Sequence, residues 1–330
     1  MLKAEPVGKA KGVGGGMEKV GLVGAGLIGQ AWTIVFARAG HPVVLYDADA
    51  GALVRAPEQI RARLQDLQSF GLIDEPEAVL ARVTTTGHLE QALDGVGYVQ
   101  ESGPEKIEIK RGIWADLDRL AGPETILASS TSGIPASQFT EDLEGRARCL
   151  VAHPINPPYL VPLVELCPAP WTDPAVVDRA YELMRSVGQS PIRVKKELQG
   201  FIANPMQGAL IGAALKLVED GYASAEDVDI AIRDGIGLRW AFMGPFETID
   251  LNAPGGIADY LKRYGPLYAA IEREQTRPTA WGDAAPIEKV EAERRTFLKE
   301  DQIAARSEWR DRRLMGLVAH KRRAATEIGE

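Results

Sequence analysis

Cysteine is scarce in this sequence: Cys149 and Cys167 are the two in 330 residues. Each sits in an apolar run, CLVAH and LVELC, as a small buried core residue would. Such low cysteine use fits a reducing compartment, so a cytoplasmic location is expected. No Cys/His spacing resembles a metal site, and no metal is expected. No apolar run reaches the ~18 residues needed to span a bilayer, which speaks against a membrane partner. The opening MLKAEPVGKAKGVGGG lacks the apolar core of a secretory signal, so residues 1–16 are expected to be a flexible leader. Positive charge is outweighed, with a net charge of -8, and general nucleic-acid binding is not expected.

What is present is an ordinary globular balance, 45% hydrophobic and 25% charged, in a chain long enough for two domains. The segment KVGLVG, from Lys19, reads as a short buried strand. It runs into Gly24-Ala-Gly-Leu-Ile-Gly29, then an apolar helical run from Ala31 to Ala39 that Gly40 caps, then a strand from His41 to Asp47. Strand, glycine turn, helix, strand, acid is the order a dinucleotide site requires. Gly24 permits the tight turn, Gly26 lets backbone approach a pyrophosphate, and Gly29 lets the helix pack close to the sheet. The helix start, with Leu27 and Ile28, offers free N–H groups to the phosphates. Asp47 would accept from the adenosine ribose hydroxyls and repel a 2′-phosphate, which favours NAD over NADP.

Further strands are predicted at 82–86, 98–101, 125–129, 149–153, 163–166 and 191–194, separated by helical stretches such as 106–120. This alternation implies a mainly parallel sheet. Pro57, inside the helical run 49–70, should start or kink that helix. Beyond Gly200 the strand pattern disappears. Residues 201–220 and 226–236 carry apolar residues at helical spacing, and the charge-rich stretch 269–323 reads as amphipathic helices. The predicted organisation is a Rossmann-type α/β domain over 17–197 followed by an all-helical domain over 198–330.

Four polar residues stand where chemistry is possible. His153 closes an apolar strand, and ligands of open α/β sheets bind outside the carboxyl ends of strands; a hydrogen-bonded core histidine is the alternative. Glu165, inside PLVEL, is costly to bury unless paired, and His153 on the preceding strand is the natural partner; an edge glutamate facing solvent is the alternative. Ser132 lies in SSTSG after another strand, as a substrate-bonding hydroxyl or a plain turn residue. Asn204 begins the helical half, as a ligand-bonding amide or a helix cap.

The stretches GLVGAGLIGQAW, YVQESGPEKIEIK, SSTSG, VAHPINPPYLVPLVEL, GLRWAFMGPFETIDLN and SEWRDRRLM together resemble the 3-hydroxyacyl-CoA dehydrogenase superfamily, and the last of them its lambda-crystallin branch, over about residues 19–323. The resemblance implies NAD-dependent oxidation of the 3-hydroxyl of a small hydroxy acid, with L-gulonate placed ahead of carnitine, 3-hydroxybutyrate and a hydroxyacyl-CoA. It implies His153 as base, Glu165 as the acid orienting it, Ser132 and Asn204 as substrate contacts, and Glu101, Lys106 and Ser132 beside the cofactor. Pro205 departs from the arginine usual after the asparagine, which weakens the Asn204 assignment. In this family the stretch around Arg239 lines the cleft facing the nicotinamide, and an arginine there suits a free carboxylate better than a thioester. A homodimer formed by the helical half is also implied, with the apolar stretch 238–243 available for contacts. A crystallin-like protein that binds the cofactor without turnover is the non-enzymatic alternative, against which the complete set of four residues argues.

Overall fold

A computed structural model describes residues 17–274, 279, 281 and 284–329; the leader expected over 1–16 lies outside them. The chain divides into two compact units, one of residues 1–202 with Asp311–Ala319, the other of Ala203–Arg310 with His320–Glu330. The division thus falls a little beyond the expected boundary, after Phe201 and Ile202, which serve the first unit. A short C-terminal segment also returns to that unit: Met315 is buried in its core, with Leu314, Val318 and Ala319 packed around it.

The first unit is built on eight strands: β1 Val20–Val23, β2 Val43–Tyr46, β3 Val83–Thr86, β4 Tyr98–Glu101, β5 Ile126–Ser129, β6 Cys149–Pro154, β7 Leu163–Pro168 and β8 Ser190–Arg193. They form one sheet in the order β3-β2-β1-β4-β5-β6-β7-β8. Every described pairing is parallel except β6 with β7, which run antiparallel. The order reverses between β1 and β4, and such a switch point opens a crevice at the carboxyl ends of the strands.

Both faces of the sheet are covered along its inner strands, which read as apolar runs, whereas the edge strands β3 and β8 are partly exposed. Alternate residues feed two cores. Tyr98, Ile126, Ala128, Leu150 and Ala152 pack with Trp32, Phe36, Ile60 and Leu64 from the helices Leu27–Arg38 and Ala50–Ser69. Val99, Leu127, Cys149, Val151 and Cys167 pack on the other face with Trp114, Leu117 and Phe139. Cys149 and Cys167 are buried, and burial pushes both thiols up to about 12. Pro57 does not start its helix: that helix begins at Ala50, where the Asp49 carboxylate caps it by accepting from the Gly51 N–H. Gly40 follows the helix Leu27–Arg38 at φ +103°, a left-handed geometry suited to glycine, and donates its N–H to the Ala37 carbonyl.

The second unit is helical. Ala203–Glu219 packs against Ala225–Ile230 and Ala284–Phe297. Ser224 and Asp227 close a capping box at the start of Ala225–Ile230, which continues through a π-helical turn, Ala231–Ile236, into Gly237–Trp240. Pro245–Asp250 and Gly256–Glu274 follow; of the later helix Ile303–Glu327, Asp311–Ala319 is the segment that belongs to the first unit. Large apolar side chains of this unit stay exposed, among them Leu238, Phe242, Phe246 and Leu251. Among the described residues no helix is long and apolar enough to cross a membrane.

Candidate active site

The glycine turn after β1 is sterically obligatory. Gly24 has φ +104°, and a side chain there would meet the Ser102 carbonyl at 2.6 Å; one at Gly29 would meet the Gly24 carbonyl at 1.7 Å. Gly26, in contrast, faces open space within 4 Å. The turn borders a cavity of about 640 Å³ whose walls include Gly24, Gly26, Asp47 and the apolar Leu89, Ile109 and Ile113. That volume lies in the range of small-molecule sites, and the combination of bare backbone, apolar wall and one carboxylate fits a dinucleotide. Leu27 and Ile28 form the first turn of the helix whose N-terminus opens at Gly26.

Asp47 braces the glycine turn. Its Oδ2 accepts from the Ala25 N–H at 2.6 Å and its Oδ1 from the Asp49 N–H at 2.8 Å. Each oxygen keeps a second lone pair, so the carboxylate can brace the turn and still accept from a ribose hydroxyl.

Further along the sheet, antiparallel pairing sets His153 of β6 directly opposite Glu165 of β7. Their side chains share the face that also carries Cys167, and His153 Nδ1 lies 2.7 Å from Glu165 Oε2. Glu165 is fully buried and His153 nearly so. Glu165 Oε1 accepts a second bond, 2.7 Å from the Ile202 N–H. Gly200 and Phe201 both adopt left-handed backbone, φ +76° and +57°, unusual for a phenylalanine. That turn delivers the Ile202 amide to Glu165 and sets the Phe201 ring 5.3 Å, centroid to centroid, from the imidazole. An ionised carboxylate only accepts, so Nδ1 is the donor in this contact and a neutral imidazole held this way carries its lone pair on Nε2. Such a histidine is built to take a proton.

Glu101 is placed differently from the expectation. It is fully buried with both oxygens engaged: Lys110 Nζ at 2.8 and 3.0 Å, the Ser129 hydroxyl at 2.7 Å, the Gly103 N–H at 2.7 Å and the Trp114 indole N–H at 3.1 Å. Its strand position, facing the core that holds Trp114, directs it inward instead of into the crevice. Lys106 stays at the exposed start of the helix Ile107–Leu120. The residue that reaches across is Glu105, whose Oε1 accepts from the Thr131 hydroxyl and from the Ser132 N–H at 3.0 Å. Glu105 thereby ties the loop after β4 to the serine turn after β5. Sequence reasoning missed Glu105 and Lys110, although both lie within the quoted PEKIEIK stretch; helical spacing from Lys106 to Lys110 was the available signal.

Asn204 and Arg239 belong to the second compact unit. Asn204 is the second residue of the helix Ala203–Glu219. Pro205 therefore falls in the first turn, where its missing N–H has no intrahelical acceptor to lose. Arg239 is exposed, and its Nη1 lies 3.4 Å from Asn252 Oδ1.

Comparison with known proteins accords with this layout. The 3-hydroxyacyl-CoA dehydrogenase NAD binding domain matches residues 19–198, and the C-terminal domain of the same family matches 200–283. The chain belongs to the 3-hydroxyacyl-CoA dehydrogenase family. It is 40% identical to lambda-crystallin of Oryctolagus cuniculus over 307 residues, 91% of this chain and 95% of that protein. It is 40% identical over 251 residues to an L-carnitine dehydrogenase of Streptomyces griseus, covering 76% of this chain and 74% of that one. Among solved structures, 5-formyl-3-hydroxy-2-methylpyridine 4-carboxylic acid 5-dehydrogenase, an NAD+-dependent dismutase, superposes with a TM-score of 0.78 at 28% identity, over 95% of this chain and 100% of that one. As a member of this 3-hydroxyacyl-CoA dehydrogenase family the protein is an oxidoreductase acting on CH–OH groups with NAD as cofactor.

Proposed function

We propose that the protein oxidises the 3-hydroxyl of a small hydroxy acid with a free carboxylate, L-gulonate first among the candidates, and that His153 is its base. The observation that carries the reading is the buried His153–Glu165 pair at 2.7 Å, with Nε2 left as acceptor. Bound NAD supplies the hydride acceptor. Gly24, Gly26, Leu27, Ile28 and Gly29 hold the pyrophosphate, Asp47 the adenosine ribose, and Ser132, with Lys106 nearby, the nicotinamide side. His153 Nε2 takes the hydroxyl proton as the C–H bond is cleaved, while Glu165 stabilises the imidazolium formed. Ser132 and Asn204 hydrogen-bond the substrate oxygen and fix the carbon's orientation. Glu105 sets the place of Ser132 by holding its N–H.

The choice of a free acid rests on Arg239, whose guanidinium suits a carboxylate and gains little from a thioester. Gulonate is put ahead of carnitine because the resemblance to the lambda-crystallin branch implies it, and lambda-crystallins match more of the chain than the carnitine dehydrogenases do, 91% against 76%. The exposed Leu238 and Phe242 support assembly as a homodimer through the helical half. The two buried cysteines support a cytoplasmic, reducing location.

The test is NADH formation at 340 nm with L-gulonate, L-carnitine, 3-hydroxybutyrate and 3-hydroxybutyryl-CoA, run on the parent and on Arg239→Met. The expected outcome is the highest kcat/KM for gulonate and a KM for free acids raised by at least ~10-fold in the variant. A parent that prefers the thioester, or an unchanged KM in Arg239→Met, would overturn the assignment.

A further inference from the structure

On the face of the sheet opposite His153, a second polar system runs to the crevice, and chemistry fixes its hydrogen-bond directions. Gln100 on β4 is fully buried. Its amide nitrogen lies 3.1 Å from the Ala152 carbonyl and 2.6 Å from Ser130 Oγ, and its amide oxygen accepts from the Tyr98 hydroxyl at 2.5 Å. A backbone carbonyl can only accept, so the nitrogen must face Ala152 and the amide has one orientation. The Trp32 indole N–H, a donor only, also points at Ser130 Oγ, at 3.1 Å. Ser130 Oγ therefore accepts twice and has both lone pairs filled. Its own proton must leave toward the remaining neighbour, Ser102 Oγ at 2.9 Å.

Ser102 then accepts from Ser130, and its own proton must point onward. Ser102 lines the dinucleotide cavity beside Gly24. Among the described residues its hydroxyl has no partner besides Ser130. Position says which part of the cofactor it meets. Along the sheet, β2 carries Asp47 at its end, β1 and then β4 follow, and β5 leads into Ser132. Ser102, just past β4 and bonded to the residue just past β5, stands on the nicotinamide side of the switch point.

We infer that Ser102 is a cofactor-binding residue, its hydroxyl held as a donor by Gln100, Trp32 and Ser130 and directed at an oxygen acceptor in the nicotinamide half of NAD. The inference rests on the proposed cofactor orientation, adenosine at Asp47 and nicotinamide at Ser132. Donors of fixed direction suit this task, since a hydroxyl that could rotate freely would have to be ordered on binding.

The experiment measures binding, not turnover: NADH by fluorescence titration and ADP by calorimetry, on the parent, Ser102→Ala and Asp47→Ala. Loss of one hydrogen bond predicts an NADH Kd raised about three- to tenfold in Ser102→Ala. The ADP Kd should stay within about twofold, and the melting temperature of the cofactor-free protein should hold. Asp47→Ala should weaken both ligands. An NADH Kd within twofold of the parent in Ser102→Ala overturns the inference. So does an ADP Kd weakened as much as that of NADH. If Asp47→Ala weakens neither ligand, the orientation itself is wrong, and the inference falls with it.

Discussion

Replacing Glu165 by glutamine tests the geometry of the base more sharply than removing the base. The substitution is isosteric and leaves the volume between β6 and β7 unchanged. The Ile202 N–H, 2.7 Å from Oε1, can only donate. It selects the amide oxygen of the new side chain, which turns the amide nitrogen toward His153 Nδ1, the position Oε2 occupies at 2.7 Å in the parent. An amide N–H2 cannot accept, so Nδ1 must. The ring proton then moves to Nε2, and the lone pair that should take the substrate proton is gone. The imidazolium formed during turnover also loses its counter-charge. In a serine protease triad the equivalent carboxylate-to-amide change costs about 10⁴ in kcat by the same tautomer reversal. The expected loss in Glu165→Gln is ~10³–10⁴ in kcat, roughly 4–5.5 kcal/mol of barrier. Folding should survive, and the Kd for NADH, which does not depend on this pair, should change less than twofold. The assay is kcat from NADH formation at 340 nm, alongside NADH fluorescence titration. A kcat within tenfold of the parent would refute the tautomer argument, and with it the role of His153 Nε2.

Asp47→Ala should weaken NAD binding and narrow the preference over NADP, because the carboxylate both repels a 2′-phosphate and braces the Ala25 amide; an unchanged ratio of kcat/KM for the two cofactors would exclude it from the ribose. Lys110→Met should destabilise the protein by about 3–5 kcal/mol in denaturant melts, since it strands the fully buried Glu101 carboxylate, and a loss under ~1 kcal/mol would show that pair to be dispensable. Cys149 and Cys167, both pushed up to about 12 by burial, carry almost no thiolate at pH 8. Neither should react with a thiol-disulfide reagent at that pH in the native state, and both should react in guanidinium; rapid native labelling would contradict their burial.

The inner strands were legible because a sheet buried on both faces needs apolar runs, such as VVLY and CLVA, which stand out from the charged helices between them, whereas the edge strands VTTT and SPIR showed through β-branched residues and their place in the alternation. The His153–Glu165 pair was legible for a related reason: a carboxylate inside PLVEL demands a partner, and adjacent strands offer one. What sequence could not supply was direction. Glu101 and Glu105 are both acidic and four residues apart, yet alternation along β4 buries the first, whereas the loop frees the second to reach Ser132. The Phe201 turn was invisible too, because a left-handed phenylalanine has no sequence signature; it is imposed by what its neighbours hold in place.

Polar side chains concentrate where each face of the sheet meets the crevice, and the two faces use them differently. On one face Glu101 gathers Lys110, Trp114 and Ser129, and beside it the His153–Glu165 pair completes the set. On the other, Gln100 gathers Tyr98, Ser130 and Ala152, and Trp32 donates to the same Ser130, without any formal charge. The charged system pins loops: through Ser129 and Glu105 it fixes the serine turn that carries Ser132, and a buried ion pair is retained because breaking it is costly. The neutral system sets hydrogen-bond direction: its donors fill Ser130 and so aim Ser102. Ala152 joins the two, since its carbonyl anchors Gln100 while the next residue in β6 is His153. A shift of β6 along its neighbours would therefore disturb the base and the Ser102 donor together. Satisfied buried networks of this kind hold one arrangement, which is what hydride transfer between two separately bound molecules requires.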